Sequence, residues 1–445
     1  MTTGPLAGLR VVEFSAFVAA PLGGMTLAQL GAEVIRIDPP GGNIDYHRMP
    51  RAPGGDSLYW ASLNKGKKSV VLALDTAQGR ELAQRIVCAP GAQAGILLTN
   101  LPARGWMEPA TLHALRPDLI TVRLCGNHDG SAAMDYTVNC ASGFAVATGA
   151  TRDPVNHVLP AWDVAAGLYI AVGLLAAERV RRDTGRGQDI SLALSDVMLA
   201  TVANLGYVAD VQINGVSREP IGNDLYGAFG RNFATVDGRE LMIVAISQKQ
   251  WQAIGKATGL ADRLAMIGPM LGVDLGSEDG LFEARDAIAA VLKPWFARRP
   301  LAEAAAALDA AGVLWGPYQD FGQLVRDDAR CSTANPMFQQ VDQPGVGRVL
   351  AARSPLAFAV SDTPAARPAP TLGADMRASC KALQVSPPAM YRLWRAAASS
   401  ARLIDTGRRN HVASFRPQGP GPRLGAGRAV CRHAARRARR RGNQG

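Results

Sequence analysis

The sequence has few cysteines and no recognisable pairing among them. Its six cysteines are scattered through 445 residues without a C-x-x-C pair or a histidine-rich neighbour, so we expect neither a metal site nor a disulfide framework. The sequence also lacks a run of the roughly 20 apolar residues that a membrane span needs, and it does not begin with a cleavable apolar block. These absences predict a cytoplasmic protein with no membrane partner.

Excess charge is confined to one end of the chain. The net charge of +11 resides in residues 401–445, which hold 12 arginines and one aspartate, and the rest of the chain carries 36 basic and 36 acidic side chains. This tail lacks apolar periodicity, which predicts disorder. Its arginines at 428–441 leave open an alternative of another class, the binding of nucleic acid or another polyanion. Because the body is neutral, we expect no nucleic-acid partner.

Apolar stretches alternate with helical patterns along the first half of the chain. The predicted strands are 9–14, 33–38, 69–74, 94–100, 119–125 and 189–194. This alternation predicts an α/β fold with a mostly parallel sheet, whose ligands bind beyond the carboxyl ends of the strands. Asp38 stands where dinucleotide-binding folds carry a ribose-binding acid, but the first loop lacks G-x-G-x-x-G. A standard NAD site is therefore disfavoured.

An acidic residue precedes the most apolar helical pattern in the sequence. Asp163 is followed by apolar residues that recur at helical spacing between 168 and 176. We expect its carboxylate at the positive end of a mostly buried helix, which would keep it ionised. Aspartate is also a favoured N-cap residue, so the residues alone leave a purely capping role for Asp163 open.

The sequence contains four segments that together resemble the class III CoA-transferases, the family that includes formyl-CoA transferase. They are GPLAGLRVVEFSAFVAAPLGGMTLAQLGAEVIRID, LNKGKKSVVLAL, AWDVAAGLYIAVGLLAAERVRRDTGRGQ, and SPLAFAV with APTLGAD, and the likeness covers residues 5–375. The resemblance implies a Rossmann-like large domain built from 1–213 and the return segment 324–398, and a small α+β domain at 214–323. It also implies an interlocked homodimer, with 399–445 as a separate basic tail.

The resemblance assigns the catalytic role to Asp163, with an acyl-CoA thioester as substrate and no cofactor beyond CoA itself. The CoA-binding positions that it implies are Phe17, Val18, Leu72, Asp75, Asn100, Leu101, Pro102, Arg104, Met134, Asp135 and Tyr136. Met134 and Ser247 stand where racemases of the superfamily have a histidine and a glutamate, so we do not expect proton-shuttling racemase chemistry.

A narrower likeness within the family rests on LTNLPARGW, MDYTVN, DPVNHVLPAWD, LYGAFGRNF and CSTANPMF. It implies an isomerase that moves CoA between the two carboxyl groups of one acid, converting 2-methylfumaryl-CoA into 3-methylfumaryl-CoA through an anhydride and a thioester of Asp163. The free carboxylate of this substrate needs a cation or several donors. The candidates are Asn156, His157, Tyr226, Gly227 and Arg231. Transfer of CoA between two separate acids stays open as an alternative, because it uses the same aspartate. A further alternative is that the chain is a degenerate relative whose altered C-terminus prevents assembly.

Overall fold

The computed structural model describes residues 4–102 and 104–382. The predictions made for the end of the return segment at 383–398, for the basic tail at 399–445 and for polyanion binding at 428–441 lie outside the described residues.

The main sheet confirms the predicted α/β class. Its strands are β1 (Arg10–Phe14), β2 (Glu33–Asp38), β3 (Lys68–Val71), β4 (Ile96–Thr99), β5 (Ile120–Cys125) and β6 (Asp189–Ala193). All neighbours pair in parallel in the order β3-β2-β1-β4-β5-β6. The chain thus builds outward from β1 in one direction and then from β4 in the other, which leaves a crevice beyond the carboxyl ends of β1 and β4.

Helices cover the two faces of this sheet. They are α1 (Ala19–Gln29), α2 (Leu58–Leu63), α3 (Ala77–Val87), α4 (Pro109–Leu115), α5 (Asp135–Cys140), α6 (Phe144–Ala147), α7 (Ala161–Thr184), α8 (Leu194–Asn204) and α9 (Tyr207–Asn214), with 3-10 turns at Ile44–His47 and Gly105–Met107. The strands are rich in Val, Ile and Leu, as expected when both faces of a parallel sheet are covered, but β1 and β2 also contain the buried charged residues Glu13, Arg36 and Asp38.

Helix α7 is the longest element in the described ranges and packs against α1. A Cβ atom on Gly167 would lie 2.8 Å from the Ala19 carbonyl oxygen, so only glycine permits this approach. The helix ends at Gly185, whose φ of +71° is the left-handed conformation that glycine adopts without strain.

Two segments of the described chain are long and apolar enough to cross a membrane by length and composition: α7, and the bent pair α8 and α9. One side of α7, which includes Ala166, Ile170 and Leu174, is fully buried in the main core. Packing of this kind is typical of a core helix. The cytoplasmic setting and the absence of a membrane partner stay predictions.

Residues after α9 build a second core. The strands β7 (Phe229–Ala234), β8 (Glu240–Ala245) and β9 (Leu314–Pro317) form an antiparallel sheet in the order β7-β8-β9. Its helices are α10 (Gln248–Thr258), α11 (Ala261–Ala265), α12 (Ile267–Leu271), α13 (Glu278–Glu283), α14 (Arg285–Phe296) and α15 (Leu301–Ala311). Phe233 stacks on Phe296 with ring centroids 4.6 Å apart at the centre of this core. The domain boundaries at 214 and 323 stay predictions.

The later part of the chain returns to the edge of the main sheet. It contains α16 (Phe321–Asp327), a 3-10 turn at Ala329–Cys331, the hairpin β10 (Phe338–Gln343) and β11 (Gly347–Ala352), and α17 (Met376–Ala382). The Asp375 carboxylate accepts a hydrogen bond from the Ser69 backbone N–H at 2.9 Å, and the Ser69 hydroxyl accepts one from the Gly373 N–H at 2.9 Å. These bonds fix the segment to β3.

Candidate active site

A cavity of about 390 Å³ lies beyond the carboxyl ends of β1, β4, β5 and β6, which is a common size for a small-molecule site. Seven of the predicted site residues line it together: Phe17, Val18, Asn100, Met134, Asp135, Tyr136 and Asp163. They come from four separate parts of the sequence. The parallel order brings them together because each follows the carboxyl end of a strand or begins a helix beside it.

The loop after β1 forms one wall of the cavity in a constrained conformation. Phe17 has a φ of +66°, which is rare for a bulky side chain. Asn100, at the end of β4, holds the loop from the side: its carbonyl oxygen accepts from the Ala16 N–H at 3.0 Å, and its amide donates to the Ala16 carbonyl at 2.7 Å. A strained backbone held in this way is typical of a ligand-binding position.

The N-terminus of α7 is capped from a distance by Asp135. One oxygen of this buried carboxylate accepts from the backbone N–H groups of Trp162 at 2.8 Å and Asp163 at 3.1 Å. Its other oxygen is buried and has no hydrogen-bond partner among the described residues. Since Asp135 satisfies these helix N–H groups, the purely capping role left open for Asp163 is wrong.

The expectation that the helix terminus keeps Asp163 fully ionised is also wrong. Burial in the cavity wall raises the pKa of Asp163 to about 7, and the nearby negative charge of Asp135 adds to the effect. Removal from water disfavours the charged form more strongly than the helix dipole favours it. At neutral pH the site therefore contains both the carboxylate and the carboxylic acid.

Two predicted substrate residues lie beside the cavity wall instead of lining it. His157 Nε2 lies 2.8 Å from the Asn139 side-chain oxygen, and the Asn139 amide donates to the Asn156 side-chain oxygen at 2.5 Å. The Trp162 indole N–H donates to the same Asn139 oxygen at 3.2 Å. This bonding fixes the loop before α7 to α5, so its visible effect is to position the segment that carries Asp163.

Five of the predicted CoA-binding residues do not line the cavity: Leu72, Asp75, Leu101, Pro102 and Arg104. Leu72 is buried in the core beneath the sheet, and Leu101 packs against the same core. Asp75, Pro102 and Arg104 are exposed on loops that follow β3 and β4. They lie along the same edge of the sheet, where an extended ligand can reach them, and their roles stay predictions.

The other predicted substrate residues belong to the second core. Arg231 donates to both oxygens of Asp224 at 2.5 Å and also pairs with Asp286 at 2.8 Å, so its charge is already balanced within the chain. Tyr226 lies under the Arg218 guanidinium, with 3.6 Å from the guanidinium carbon to the ring centroid. Gly227 has a φ of +76° in the adjoining turn. None of the three lines the cavity described above.

A buried ionic network supports the β1 loop from below. Arg36 donates to both Asp38 and Asp45 and to the Ser15 carbonyl, at about 3.0 Å each. Lys67 donates to Glu13 at 2.7 Å. Burial lowers the pKa of Lys67 to about 8, although Glu13 opposes the shift. Asp38, considered above as a ribose ligand, is therefore fully engaged in structure.

Comparison with known proteins fits this geometry. The profile of CoA-transferase family III matches residues 6–376. The chain belongs to this family. It is 52% identical over 373 residues to the 2-methylfumaryl-CoA isomerase of Chloroflexus aurantiacus, a match that covers 83% of this chain and 91% of the relative. It is also 30% identical over 270 residues to the succinyl-CoA–D-citramalate CoA-transferase of the same organism, covering 57% of this chain and 65% of the relative.

The fold is shared with solved structures of the same kind. A crystal structure of a CAIB/BAIF family protein from Brucella suis superposes with a TM-score of 0.71 at 25% identity, covering 86% of this chain and all of that one. The chain is thus a class III CoA-transferase family enzyme, and an acyl-CoA thioester is its class of substrate.

Sequence reasoning missed two polar residues that line the cavity of this family III enzyme, Arg48 and Tyr59. Both lie beyond the second strand, in a part of the chain that carries no strand pattern and no recognised motif. Burial raises the pKa of Tyr59 to about 12, opposed by Arg48 and reinforced by Asp163. Its hydroxyl is therefore a permanent hydrogen-bond donor at neutral pH.

No group of three or more His, Cys, Asp or Glu side chains within 4–102 and 104–382 has an arrangement suited to a metal ion. The expectation of no cofactor beyond CoA stays a prediction.

Proposed function

We propose that this enzyme converts 2-methylfumaryl-CoA into 3-methylfumaryl-CoA by moving CoA between the two carboxyl groups of one C5 dicarboxylic acid. The observation that carries the proposal is the 52% identity to 2-methylfumaryl-CoA isomerase over 91% of that protein's length. The cavity supports it, because it presents one carboxylate nucleophile, Asp163, on a wall that partly excludes water.

The first half-reaction removes the acyl group from CoA. The ionised Asp163 attacks the C1 thioester carbonyl, the C–S bond breaks, and CoA leaves as the thiolate, so that a mixed anhydride joins Asp163 to the acid. The thiolate then attacks the Asp163 carbonyl of the anhydride. This step forms an aspartyl-CoA thioester, and the C1 carboxylate is the leaving group, so the acid is released as the mesaconate dianion.

The second half-reaction repeats these steps from the other end of the acid. The C4 carboxylate attacks the aspartyl-CoA carbonyl, thiolate leaves, and a second anhydride forms. The thiolate attacks the C4 carbonyl, which gives 3-methylfumaryl-CoA and restores the Asp163 carboxylate. No electron or external acceptor is consumed, so we propose no cofactor beyond CoA.

The anhydrides lie above the thioesters in free energy, so contacts to the remote part of CoA must hold the thiolate beside Asp163. Five of the six predicted CoA positions that line the cavity, Phe17, Val18, Asn100, Met134 and Tyr136, are suited to the pantetheine end of the ligand. We propose that the loop around Gly227 supplies hydrogen-bond donors to the oxyanions that form during the reaction. Because Gly227 does not line the cavity, this role requires that the second core, or a partner copy, closes over the cavity.

The second candidate is transfer of CoA between two different acids. The likeness to succinyl-CoA–D-citramalate CoA-transferase favours it, because that relative's name states transfer between separate acids. Both candidates use Asp163 and differ only in whether the released acid leaves the site before the second half-reaction.

Incubation of the full chain with 2-methylfumaryl-CoA and carbon-13-labelled free mesaconate tests the proposal. Mass spectrometry is expected to find 3-methylfumaryl-CoA without label. Labelled product would establish exchange with free acid and would make the enzyme an intermolecular transferase. Absence of any product would refute the isomerase function itself.

Two variants of one helix make the test specific to the nucleophile. Asp163→Asn is expected to abolish conversion, since an amide cannot form the anhydride. Asp183→Asn changes the same residue type at the exposed far end of α7 and is expected to retain full activity. Equal activity of the two variants would exclude Asp163 as the nucleophile.

We further propose that two copies of the chain associate through the outer side of α7, α8 and α9. The apolar side chains exposed there are Leu168, Tyr169, Val172, Val180, Leu199, Val208, Val211 and Ile213. Exposed apolar surface of this extent marks an interface, and the family resemblance implies a dimer. Light scattering is expected to give twice the chain mass for the parent protein. Val172→Glu is expected to lower the measured mass. Val236 is an exposed valine on the β7–β8 turn, and Val236→Glu is expected to leave the mass unchanged. A monomeric parent chain would exclude the dimer.

A further inference from the structure

Arg48 lines the cavity, and its guanidinium has no acidic partner among the described residues. Its central carbon lies 5.6 Å from the ring centroid of Phe17 and 5.1 Å from that of Tyr59, and both rings line the same cavity. Within the described ranges, no carboxylate approaches it within the 4.0 Å of an ion pair. The two rings thus orient a cation without neutralising it.

The other strong cations near the site are already paired. Arg36 is fully buried against Asp38 and Asp45, and Lys67 against Glu13. Arg48 is the cationic side chain among the described residues that line the cavity. It is therefore the side chain placed to accept an anion of the substrate.

We propose that Arg48 binds whichever carboxylate of the dicarboxylic acyl group is not reacting with Asp163, and so retains the free dicarboxylate between the two half-reactions. This inference rests on the proposed isomerase function and assigns its specificity. Arginine suits the role because its planar guanidinium makes two parallel hydrogen bonds to a carboxylate. The ring of Tyr59 lies against the guanidinium of Arg48, and its hydroxyl is a hydrogen-bond donor at neutral pH.

Retention explains how one acid can be attacked at both ends. While the CoA resides on Asp163, the dicarboxylate has two free carboxylates, one held by Arg48 and one facing the aspartyl thioester. An end-over-end turn exchanges them within the cavity. A monocarboxylic acid offers Arg48 no second group, so it would leave after the first half-reaction.

Equilibrium binding tests the inference without depending on turnover. The probe is mesaconate, titrated by calorimetry into the full chain saturated with desulfo-CoA, which lacks the reactive thiol. Arg48→Gln is expected to weaken mesaconate about 100-fold, a typical loss for a charge-assisted pair, and Arg48→Lys to recover part of it. The uncharged dimethyl ester of mesaconate, which offers Arg48 no carboxylate, is expected to bind all three proteins equally weakly.

The neighbouring exposed arginine supplies a matched control. Arg51 donates to the His47 backbone carbonyl at 2.8 Å and does not line the cavity, so Arg51→Gln is expected to retain parent affinity. In the labelled-acid assay, Arg48→Gln is expected to lower isomerisation and to raise the labelled fraction of the remaining product.

Three results would overturn the inference. The first is an unchanged affinity of Arg48→Gln for mesaconate, and the second is no binding of mesaconate by the parent chain. The third is a variant that loses affinity for desulfo-CoA instead of mesaconate, which would assign Arg48 to the CoA phosphates. If the parent chain binds mesaconate through Arg48 but does not isomerise the thioester, the proposed function fails while the binding assignment stands.

Discussion

The titration of Asp163 predicts a steep loss of activity on the acid side of neutrality. In the reaction that we propose, the nucleophile is the Asp163 carboxylate, and burial raises the pKa of this group to about 7. The active fraction is therefore about one half at pH 7 and about one tenth at pH 6, so kcat/KM falls about tenfold for each pH unit below this range. Above pH 8 it is expected to be constant.

The same shift makes the native protein less stable at high pH. A carboxyl group whose pKa rises from 3.8 in the unfolded chain to about 7 in the fold stabilises the fold fully below pH 4 and loses this contribution as the pH rises through 7. The loss amounts to about 4 kcal/mol at 1.36 kcal/mol per pKa unit, and partial solvent contact reduces it to about 2 kcal/mol.

Asp163→Asn removes this penalty because asparagine does not ionise. Urea unfolding is expected to find the variant more stable than the parent chain by about 2 kcal/mol at pH 8 and equal to it at pH 4, whereas Asp183→Asn shows no such dependence. The argument is refuted if kcat/KM stays constant down to pH 5, or if the stability difference is the same at both pH values.

Three further predictions concern the elements that position the nucleophile. Asp135→Ala removes the cap of α7 and a neighbouring negative charge, so it should cost about 1–2 kcal/mol in urea unfolding and move the midpoint of the pH profile below that of the parent chain; an unmoved midpoint would argue against the charge effect. Lys67→Met removes the nearer cation from buried Glu13 and leaves Arg36 at 3.9 Å, so it should cost about 3–5 kcal/mol; a cost below 1 kcal/mol would contradict the buried pair. Gly167→Ala should destabilise the fold by about 1–3 kcal/mol, because its Cβ would lie too close to α1. Gly173→Ala in the same helix should stabilise it by up to about 1 kcal/mol, because the added Cβ meets only Ile190 at 3.7 Å. Equal effects of the two substitutions would exclude a steric cause.

Local sequence patterns sufficed for the main sheet and for the beginning of α7. The parallel strands are short runs of Val, Ile and Leu separated by helical patterns, and this alternation depends on neighbours in sequence. Its consequence, that side chains after β1, β4 and β5 share one edge, follows from parallel topology without knowledge of packing. Phe17, Asn100 and Asp135 were placed in the cavity on this basis together with the family resemblance.

Features that depend on distant contacts were not predictable in the same way. The raised pKa of Asp163 results from burial and from Asp135, 28 residues earlier, whereas sequence reasoning considered only the dipole of its own helix. Arg231 looked free because neither of its pairings follows from a local pattern: Asp224, 7 residues earlier, meets it only through the fold of the turn before β7, and Asp286 lies 55 residues away. Arg48 carries no motif, and its position beside the cavity depends on the path of the loop after β2.

The environment that makes Asp163 hard to ionise also suits the reaction that we propose for it. A carboxylate with a pKa near 7 is a stronger base, and so a better nucleophile toward a thioester, than one with a pKa of 3.8. The accompanying loss of active fraction at pH 7 is only about twofold. The proposed reaction also passes through two anhydrides and an aspartyl thioester, each of which water would hydrolyse. Partial exclusion of water from Asp163 therefore serves both needs, since it raises the pKa of the proposed nucleophile and protects the intermediates that this nucleophile would form.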